Sequence, residues 1–106
     1  MAGRLRPVHP GEILREEFMR PLGLNPHKLS LALHVSAPAV YEIAGEERAI
    51  STEMALRLAH YLGTTPEFWL NLQTRYDLEI ARDREAAKIE REVRPMTRTG
   101  KRASGD

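Results

Sequence analysis

Helix-capping residues followed by proline recur along this chain and restrict it to a series of short helices. Asn25-Pro26 and Thr65-Pro66 each combine a good capping side chain with a proline at the first helical position, where the missing N–H does no harm. Ser36 precedes Ala37-Pro38 in the same way. The sequence has no sustained alternation of apolar and polar residues and no Asn-Gly or Asp-Gly turn, so strand signals are nearly absent. The pattern predicts an all-α protein.

Apolar spacings of three and four residues, interrupted by glycine and proline, divide the chain into five predicted helices. In order, these helices cover residues 11–20, 25–33, 36–44, 51–62 and a long segment from 65 toward 95. Pro21 is expected to end the first helix. Gly45 is expected to be the left-handed residue that follows the third helix. The predicted architecture is a five-helix bundle with a long C-terminal helix.

The composition bounds the class of protein. The chain has 106 residues, which is the length of one domain, with 42% hydrophobic and 29% charged residues. The absence of cysteine excludes disulfide frameworks, thiolate-bound metals and thiol catalysis. No apolar run approaches the roughly 18 residues of a membrane span, and no apolar segment follows the N-terminal arginines as in a signal peptide. We therefore expect a cytoplasmic protein with no membrane partner.

The net charge is only +1, and no block of the sequence is strongly basic. A protein that binds nucleic acid through bulk electrostatics has a clear excess of lysine and arginine. Any binding to DNA by this chain must therefore depend on a few placed groups, doubled if the protein is a dimer.

The segment 26–45 has the spacing of a helix-turn-helix motif, two short helices joined by a tight turn. Ser30 is small enough for the two helices to cross closely, and His34 belongs to a residue type that tolerates positive φ. In such a motif the start of the second helix enters the major groove of DNA. The candidate DNA-binding residues are Ser36, Ala37, Pro38, Ala39 and Tyr41, flanked by Lys28 and Arg48 as phosphate ligands. From spacing alone, an ordinary helical hairpin in a small bundle is equally well supported.

Other residue clusters favour structural roles. An aromatic and apolar stripe on the last helix predicts core packing, with part of the stripe in a dimer interface; its members are Phe68, Trp69, Leu72, Tyr76 and Ile80. The four histidines, His9, His27, His34 and His60, lack metal-ligand spacing, so no metal or cofactor is expected. The sequence has no glycine-rich phosphate loop, nucleophile elbow or metal set, and we expect no enzymatic activity.

Several strings around the motif resemble the HigA/VapI antitoxins of the Cro/C1-type (Xre) helix-turn-helix group. They are His9-Pro10-Gly11-Glu12-Ile13-Leu14, Leu22-Gly23-Leu24, Arg48-Ala49-Ile50-Ser51, the segment 55–59, and above all the segment 65–73 with Tyr76-Asp77-Leu78. The resemblance implies a lambda-repressor-like domain over 8–82 with its motif at 26–45. A charged helical extension over 83–94 and a disordered tail over 95–106 complete the predicted organisation.

The resemblance implies an antitoxin that binds operator DNA as a homodimer, represses its own operon and neutralises a HigB-type toxin, a RelE-like mRNA interferase. Glu12 and Glu16 are then candidate docking groups for a basic toxin. Two alternatives stay open. The protein is a stand-alone repressor, or it is an antitoxin that has lost strong DNA binding and acts only by protein contact.

The chain departs from the family pattern within the motif. Pro26 stands where the family usually has glutamine, and His34 stands where it usually has glycine. Ala37-Pro38-Ala39 replaces groove-facing positions that often carry asparagine, arginine or serine, and Glu46-Glu47 brings negative charge to a loop that is often basic. Alanine and proline make no bidentate contacts with bases. These departures predict weak or strongly salt-sensitive operator binding, with base contacts reduced to Ser36, Tyr41 and apolar contacts with thymine.

Overall fold

The computed structural model describes residues 6–97, and within this range the chain contains five helices and no strand. Helix α1 begins with Pro10–Ile13, continues through Leu14–Met19 and ends with Arg20–Leu22; α2 is Pro26–Leu33, α3 is Ala37–Ala44, α4 is Thr52–Leu62, and α5 is Pro66–Glu92. The all-α, five-helix prediction is confirmed. Residues 98–106 of the predicted tail lie outside the described range.

Pro21 does not end α1, so that prediction is wrong. Leu14–Met19 form a π-helical segment, and the Arg20 N–H donates to the carbonyl of Arg15, five residues earlier. A proline inside a regular α-helix crowds the carbonyl four residues before it. The wider π turn immediately ahead of Pro21 removes that conflict, and the helix continues for one more residue. Gly23, with φ of 68°, then ends α1 in the left-handed region.

The other four helices begin at the capping residues that the sequence indicates. A side-chain oxygen accepts a hydrogen bond from the backbone N–H three residues later at Asn25 (2.7 Å), Ser36 (3.4 Å), Ser51 (3.1 Å) and Thr65 (3.1 Å). These bonds satisfy N–H groups that have no partner within the helix. The caps thereby set where each helix begins.

The end of α3 differs from its prediction by one residue. Gly45 has φ of −86°, and Glu46 adopts the left-handed conformation instead, with φ of 66°. The Glu47 N–H donates to the carbonyl of Glu42 at 2.8 Å, and the Glu46 N–H donates to the carbonyl of Ile43 at 2.9 Å. This pair of bonds is a Schellman motif with a glutamate at the position that glycine usually occupies.

Trp69 lies in the core that joins α5 to the rest of the bundle. It is fully buried, its Nε1 donates to Thr64 Oγ1 at 2.8 Å, and its ring packs against Phe18. Among the other predicted stripe residues, Phe68 is 38% exposed, and Leu72, Tyr76 and Ile80 are half-buried. The remaining core is formed by apolar residues of α1 to α4 and of the loop before α4: Leu14, Met19, Leu29, Leu33, Ala39, Val40, Ile43, Ala44, Ile50, Met54, Ala55 and Leu58.

A buried glutamine links α5 to the loop that precedes α4. The Gln73 Oε1 accepts a hydrogen bond from the Ile50 N–H at 2.8 Å, and its Nε2 donates to Asp77 Oδ1 at 2.9 Å. Gln73 is only 7% exposed. A buried amide of this kind is tolerated because both of its ends have partners.

The second half of α5 projects beyond the bundle. The helix has 27 residues, and its side chains from 81 onward are exposed except for the partly buried Ala86. This projection gives the described chain its long axis of 58 Å. No helix within residues 6–97 is long and apolar enough to cross a membrane.

Candidate nucleic-acid interface

The turn between α2 and α3 has the geometry that the motif requires. His34 adopts φ of 59° and ψ of 46°, in the left-handed region, as predicted. The Val35 N–H then donates to the carbonyl of Ser30 at 3.1 Å, so the chain reverses within three residues. Ser36 follows in extended conformation and caps α3. A histidine can hold this position because it is among the residues that tolerate the left-handed region.

Ser30, on the first helix of the motif, is a buried small residue. It is 2% exposed, and its hydroxyl donates to the carbonyl of His27 at 2.7 Å. The internal hydrogen bond satisfies the hydroxyl without a partner from another helix. This burial agrees with the close approach of the two helices that the sequence predicts at Ser30.

The start of α3 is presented to solvent. Ser36 and Pro38 are exposed, Tyr41 is 57% exposed, and Ala37 is half-buried. Ala39, however, is only 7% exposed and belongs to the core. This burial argues against the predicted contact of Ala39 with DNA, because the helical period places the position on the inner face of α3.

The inner face of α3 packs very closely on α1. Val40 and Ile43 are each 1% exposed. Gly11, at the start of α1, lies so near α3 that a Cβ atom placed on it would be 1.7 Å from the carbonyl oxygen of Ile43. Only glycine permits this approach, so Gly11 sets how deeply α3 sits in the bundle.

Two arginines bind the carbonyl ends of the motif helices. Arg15 of α1 donates through Nη1 to the carbonyl of Ala44, the last residue of α3, and through Nη2 to Glu46 at 3.2 Å. Arg57 of α4 donates to the carbonyl of Leu33, the last residue of α2, at 2.8 Å. A cation at the C-terminus of a helix satisfies free carbonyls and opposes the negative end of the dipole. Each motif helix is thus held at its C-terminal end by an arginine from another helix.

The two predicted phosphate ligands differ in their surroundings. Lys28 is exposed on the first turn of α2. Arg48 is also exposed, but its guanidinium contacts Glu42 Oε1 through Nε at 2.8 Å and Nη2 at 2.7 Å. The Glu42 carboxylate therefore offsets the charge that Arg48 brings to this face.

A polar cluster lies behind the far end of α3. His9 is 4% exposed, its Nδ1 accepts a hydrogen bond from the Gly11 N–H at 2.8 Å, and its ring meets Tyr76 edge-on. Burial lowers the pKa of His9, and the carboxylates of Glu46 and Asp77 partly oppose that shift. The neutral imidazole is therefore the form that caps α1.

The two candidate toxin-docking carboxylates are already paired within the chain. Glu12 accepts from Arg6 at 2.9 Å. Glu16 contacts Arg15 at 2.9 Å and Arg20 at 3.0 Å. The hydrogen bond from Arg15, aided by Arg20, lowers the pKa of Glu16. The acidic face of α1 is thus largely neutralised by neighbouring cations.

Several residues that position the interface were not anticipated as such from the sequence. Gly11 was part of the family-like string but had no assigned role, and Arg15, Arg57 and Gln73 had no signal of their own. Long-range partners define all four, and helical periodicity carries no information about those partners. Within residues 6–97 no group of three metal-ligating side chains is close enough together to hold an ion.

Comparison with known proteins gives a virulence-associated protein and an antitoxin among the relatives of this chain. No family model matches the chain. It is 49% identical to virulence-associated protein I of Dichelobacter nodosus over 83 residues, and this alignment covers 77% of each chain. It is 39% identical over 93 residues to antitoxin HigA-1 of Vibrio cholerae, which covers 86% of this chain and 85% of the relative.

A solved structure has the same fold. The Pseudomonas aeruginosa antitoxin HigA with the higBA promoter superposes with a TM-score of 0.85 at 47% identity, covering 87% of this chain and all of the other. Agreement at this level shows that the two chains share the arrangement of their helices.

Proposed function

Because the chain belongs to the HigA/VapI family of helix-turn-helix antitoxins, we propose that it binds the operator of its own operon as a homodimer and neutralises a HigB-type toxin, a RelE-like mRNA interferase. The mechanism is binding rather than catalysis. Two copies of α3, about 34 Å apart, enter successive major grooves of a palindromic site. The proposed compartment is the cytoplasm, where operator and toxin are both accessible.

The observation that carries the DNA-binding part is the presentation of α3. Its first turn is open to solvent at Ser36 and Pro38, while Gly11 and Arg15 hold the opposite side and the far end. A rigid helix with an exposed N-terminal turn is what major-groove docking requires. The HigA relative of the same fold was solved with the higBA promoter, which supports DNA binding by this chain.

The charges on this face favour modest affinity. Only Lys28 and Arg48 are assigned to phosphates, and Arg48 is paired with Glu42. For a dimer these are four cations, so the logarithm of the association constant should fall with the logarithm of salt concentration with a slope of roughly −4. If the Arg48–Glu42 pair persists on DNA, the slope is nearer roughly −2.

The experiment is a fluorescence-anisotropy titration of the upstream DNA and a scrambled duplex over a series of salt concentrations. Lys28→Ala should flatten the slope by about 2 for the dimer, with equal loss on both duplexes, because phosphate contacts carry no sequence information. Lys88→Ala on the projecting half of α5 is the matched control and should change neither quantity. Equal affinity for operator and scrambled DNA would refute specific repression by this face.

One observation favours a second function, that of an antitoxin acting by protein contact alone. The outward face of α3 carries Pro38 and the half-buried Ala37 where strong polar contacts with bases would be made, and Glu42 neutralises Arg48. In that case the protein co-purifies with the product of the neighbouring gene and blocks it, but has no preference for the upstream DNA. A preference for the upstream DNA, with no toxin gene in the neighbourhood, would favour the stand-alone repressor.

Glu12 and Glu16 are proposed to increase the rate at which the protein associates with the toxin. Charge complementarity mainly accelerates association, and both carboxylates already have cationic partners in the chain. Reversal to lysine at both positions should slow association with the toxin several-fold at low salt. An unchanged association rate would remove these residues from the toxin surface.

The homodimer proposal uses the apolar side chains that α5 leaves exposed. Phe68, Leu78 and Ile89 are 38%, 46% and 50% exposed, and the predicted stripe residues Leu72, Tyr76 and Ile80 are half-buried. Burial of such side chains between two copies would remove apolar area from water. Sedimentation equilibrium over a range of concentrations measures the assembly, and a monomer at all concentrations would refute it.

A further inference from the structure

The outward face of α3 is apolar at the turn that would enter the major groove. Pro38 and Tyr41 are three residues apart and therefore lie next to each other on one face of the helix. Both are exposed, Tyr41 to 57%. Further along this face lie Glu42, which is paired with Arg48, and Gly45, which has no side chain. The surface offered to base edges is thus a proline ring beside a phenol ring.

The side chains that usually recognise guanine, adenine and cytosine are either absent from this helix or already engaged. Guanine is usually recognised by arginine or lysine, and adenine by asparagine or glutamine. The eight residues of α3 include none of these types. Cytosine can be recognised by glutamate, but the Glu42 carboxylate is already engaged by two contacts from Arg48. Ser36 Oγ is engaged as the cap of α3.

Thymine is the one unmodified base that presents an apolar group, its C5-methyl, in the major groove. We propose that Tyr41, with Pro38 beside it, determines operator specificity by packing on thymine methyl groups, so that the half-site is recognised as a pattern of methyls. This inference rests on the proposed function. It assigns a specificity-determining residue and a chemical class of target to the helix.

The test removes methyl groups from the DNA and leaves the protein intact. Each thymine of the operator is replaced in turn by deoxyuridine, which pairs identically but lacks the methyl, and affinity is measured by anisotropy. At one or two positions in each half-site, affinity should fall about threefold to fivefold, as expected for loss of one buried methyl. The other thymines should show no change.

Protein variants then connect those positions to the helix. With Tyr41→Ala, the sensitive thymines should become indifferent to the methyl, and affinity for the unmodified operator should approach that of the wild type for the deoxyuridine operator. Tyr41→Phe should keep the sensitivity, because the ring and not the hydroxyl makes the contact. Tyr61→Ala is the matched control: Tyr61 is a comparably exposed tyrosine, 47%, on α4. It should keep full methyl sensitivity.

The possible outcomes distinguish failure of the methyl-contact inference from failure of the proposed repressor function. If the operator is bound specifically but no deoxyuridine position matters, the methyl-contact inference is overturned and the repressor function stands. If sensitivity exists but persists in Tyr41→Ala, the assignment to Tyr41 is overturned. If the operator is bound no better than scrambled DNA, the proposed repressor function fails, and this inference fails with it.

Discussion

Substitution of Gly11 by alanine tests whether close contact between α1 and α3 sets the position of the recognition helix. The added Cβ would lie 1.7 Å from the Ile43 carbonyl oxygen and 2.9 Å from its carbonyl carbon. Real Cβ atoms almost never approach a neighbour within 3.0 Å, so the two helices must separate by more than an ångström. The same atom would lie 3.1 Å from His9 Nδ1, the group that caps α1.

The expected loss in the free energy of unfolding depends on which atom the added Cβ clashes with. Overpacking a core usually costs about 1–3 kcal/mol, and the upper end applies here because a backbone carbonyl cannot rotate away as a side chain does. A loss of about 3 kcal/mol corresponds to a decrease in Tm of roughly 12–24 °C for a domain of this size. The measurement is thermal and urea unfolding followed by circular dichroism, at one fixed protein concentration because assembly affects apparent stability.

Gly23→Ala is the matched control. Gly23 has φ of 68°, which strains any other residue, but a Cβ placed there meets nothing within 4 Å. Its cost should be about 1–2 kcal/mol from backbone strain alone. Below its melting temperature, Gly11→Ala should also lose operator affinity, whereas Gly23→Ala should not. If Gly11→Ala is no more destabilising than Gly23→Ala, the close approach does not set the position of α3.

Three further predictions concern polar contacts that support the interface. Burial lowers the pKa of His9 from 6.5, so as the pH falls below about 6.5 the unfolded chain takes up a proton first, and the free energy of unfolding should decrease until the pH passes the lower pKa of the folded state. His9→Asn, a cap that does not titrate, should flatten this part of the stability–pH curve, and an unchanged curve would refute the role of His9. Arg15→Met should lower both the free energy of unfolding and operator affinity, because it leaves the carbonyl at the end of α3 without its donor. The control is Arg20→Met, which removes only an exposed ion pair within α1 and should change the free energy of unfolding by less than about 1 kcal/mol in urea. Equal effects of the two variants would count against anchoring of α3 by Arg15. Gln73→Leu leaves the Ile50 N–H without its acceptor and should cost about 1–3 kcal/mol, and a neutral result would mean that another acceptor takes its place.

The helix starts and the motif turn were predictable because local bonds determine them. Asn25 and Ser36 each bond an N–H only three residues away, and the left-handed His34 ends α2 within the same short segment. The wrong prediction at Gly45 shows the limit of this local argument. The left-handed residue is Glu46, and Arg15 binds that glutamate from 31 residues away, a contact that no local pattern contains.

The interface itself was predicted in outline and corrected in detail. Ser36, Pro38 and Tyr41 face solvent, as the motif implies, whereas Ala39 is part of the core. The difference is one of helical phase, which depends on which face of α3 meets α1. Phosphate binding by Arg48 and toxin docking by Glu12 stay predictions, but the structure adds that each has an oppositely charged partner in the chain.

Taken alone, the order of residues along the chain determined the helices, their caps and the motif turn, because those features depend on hydrogen bonds and spacings within a few residues. Only the tertiary structure decided the depth of α3, through contacts such as that of Gly11 with Ile43, and the charge left available on its outer face. These properties depend on distances between residues far apart in sequence, and such distances exist only once the helices have packed.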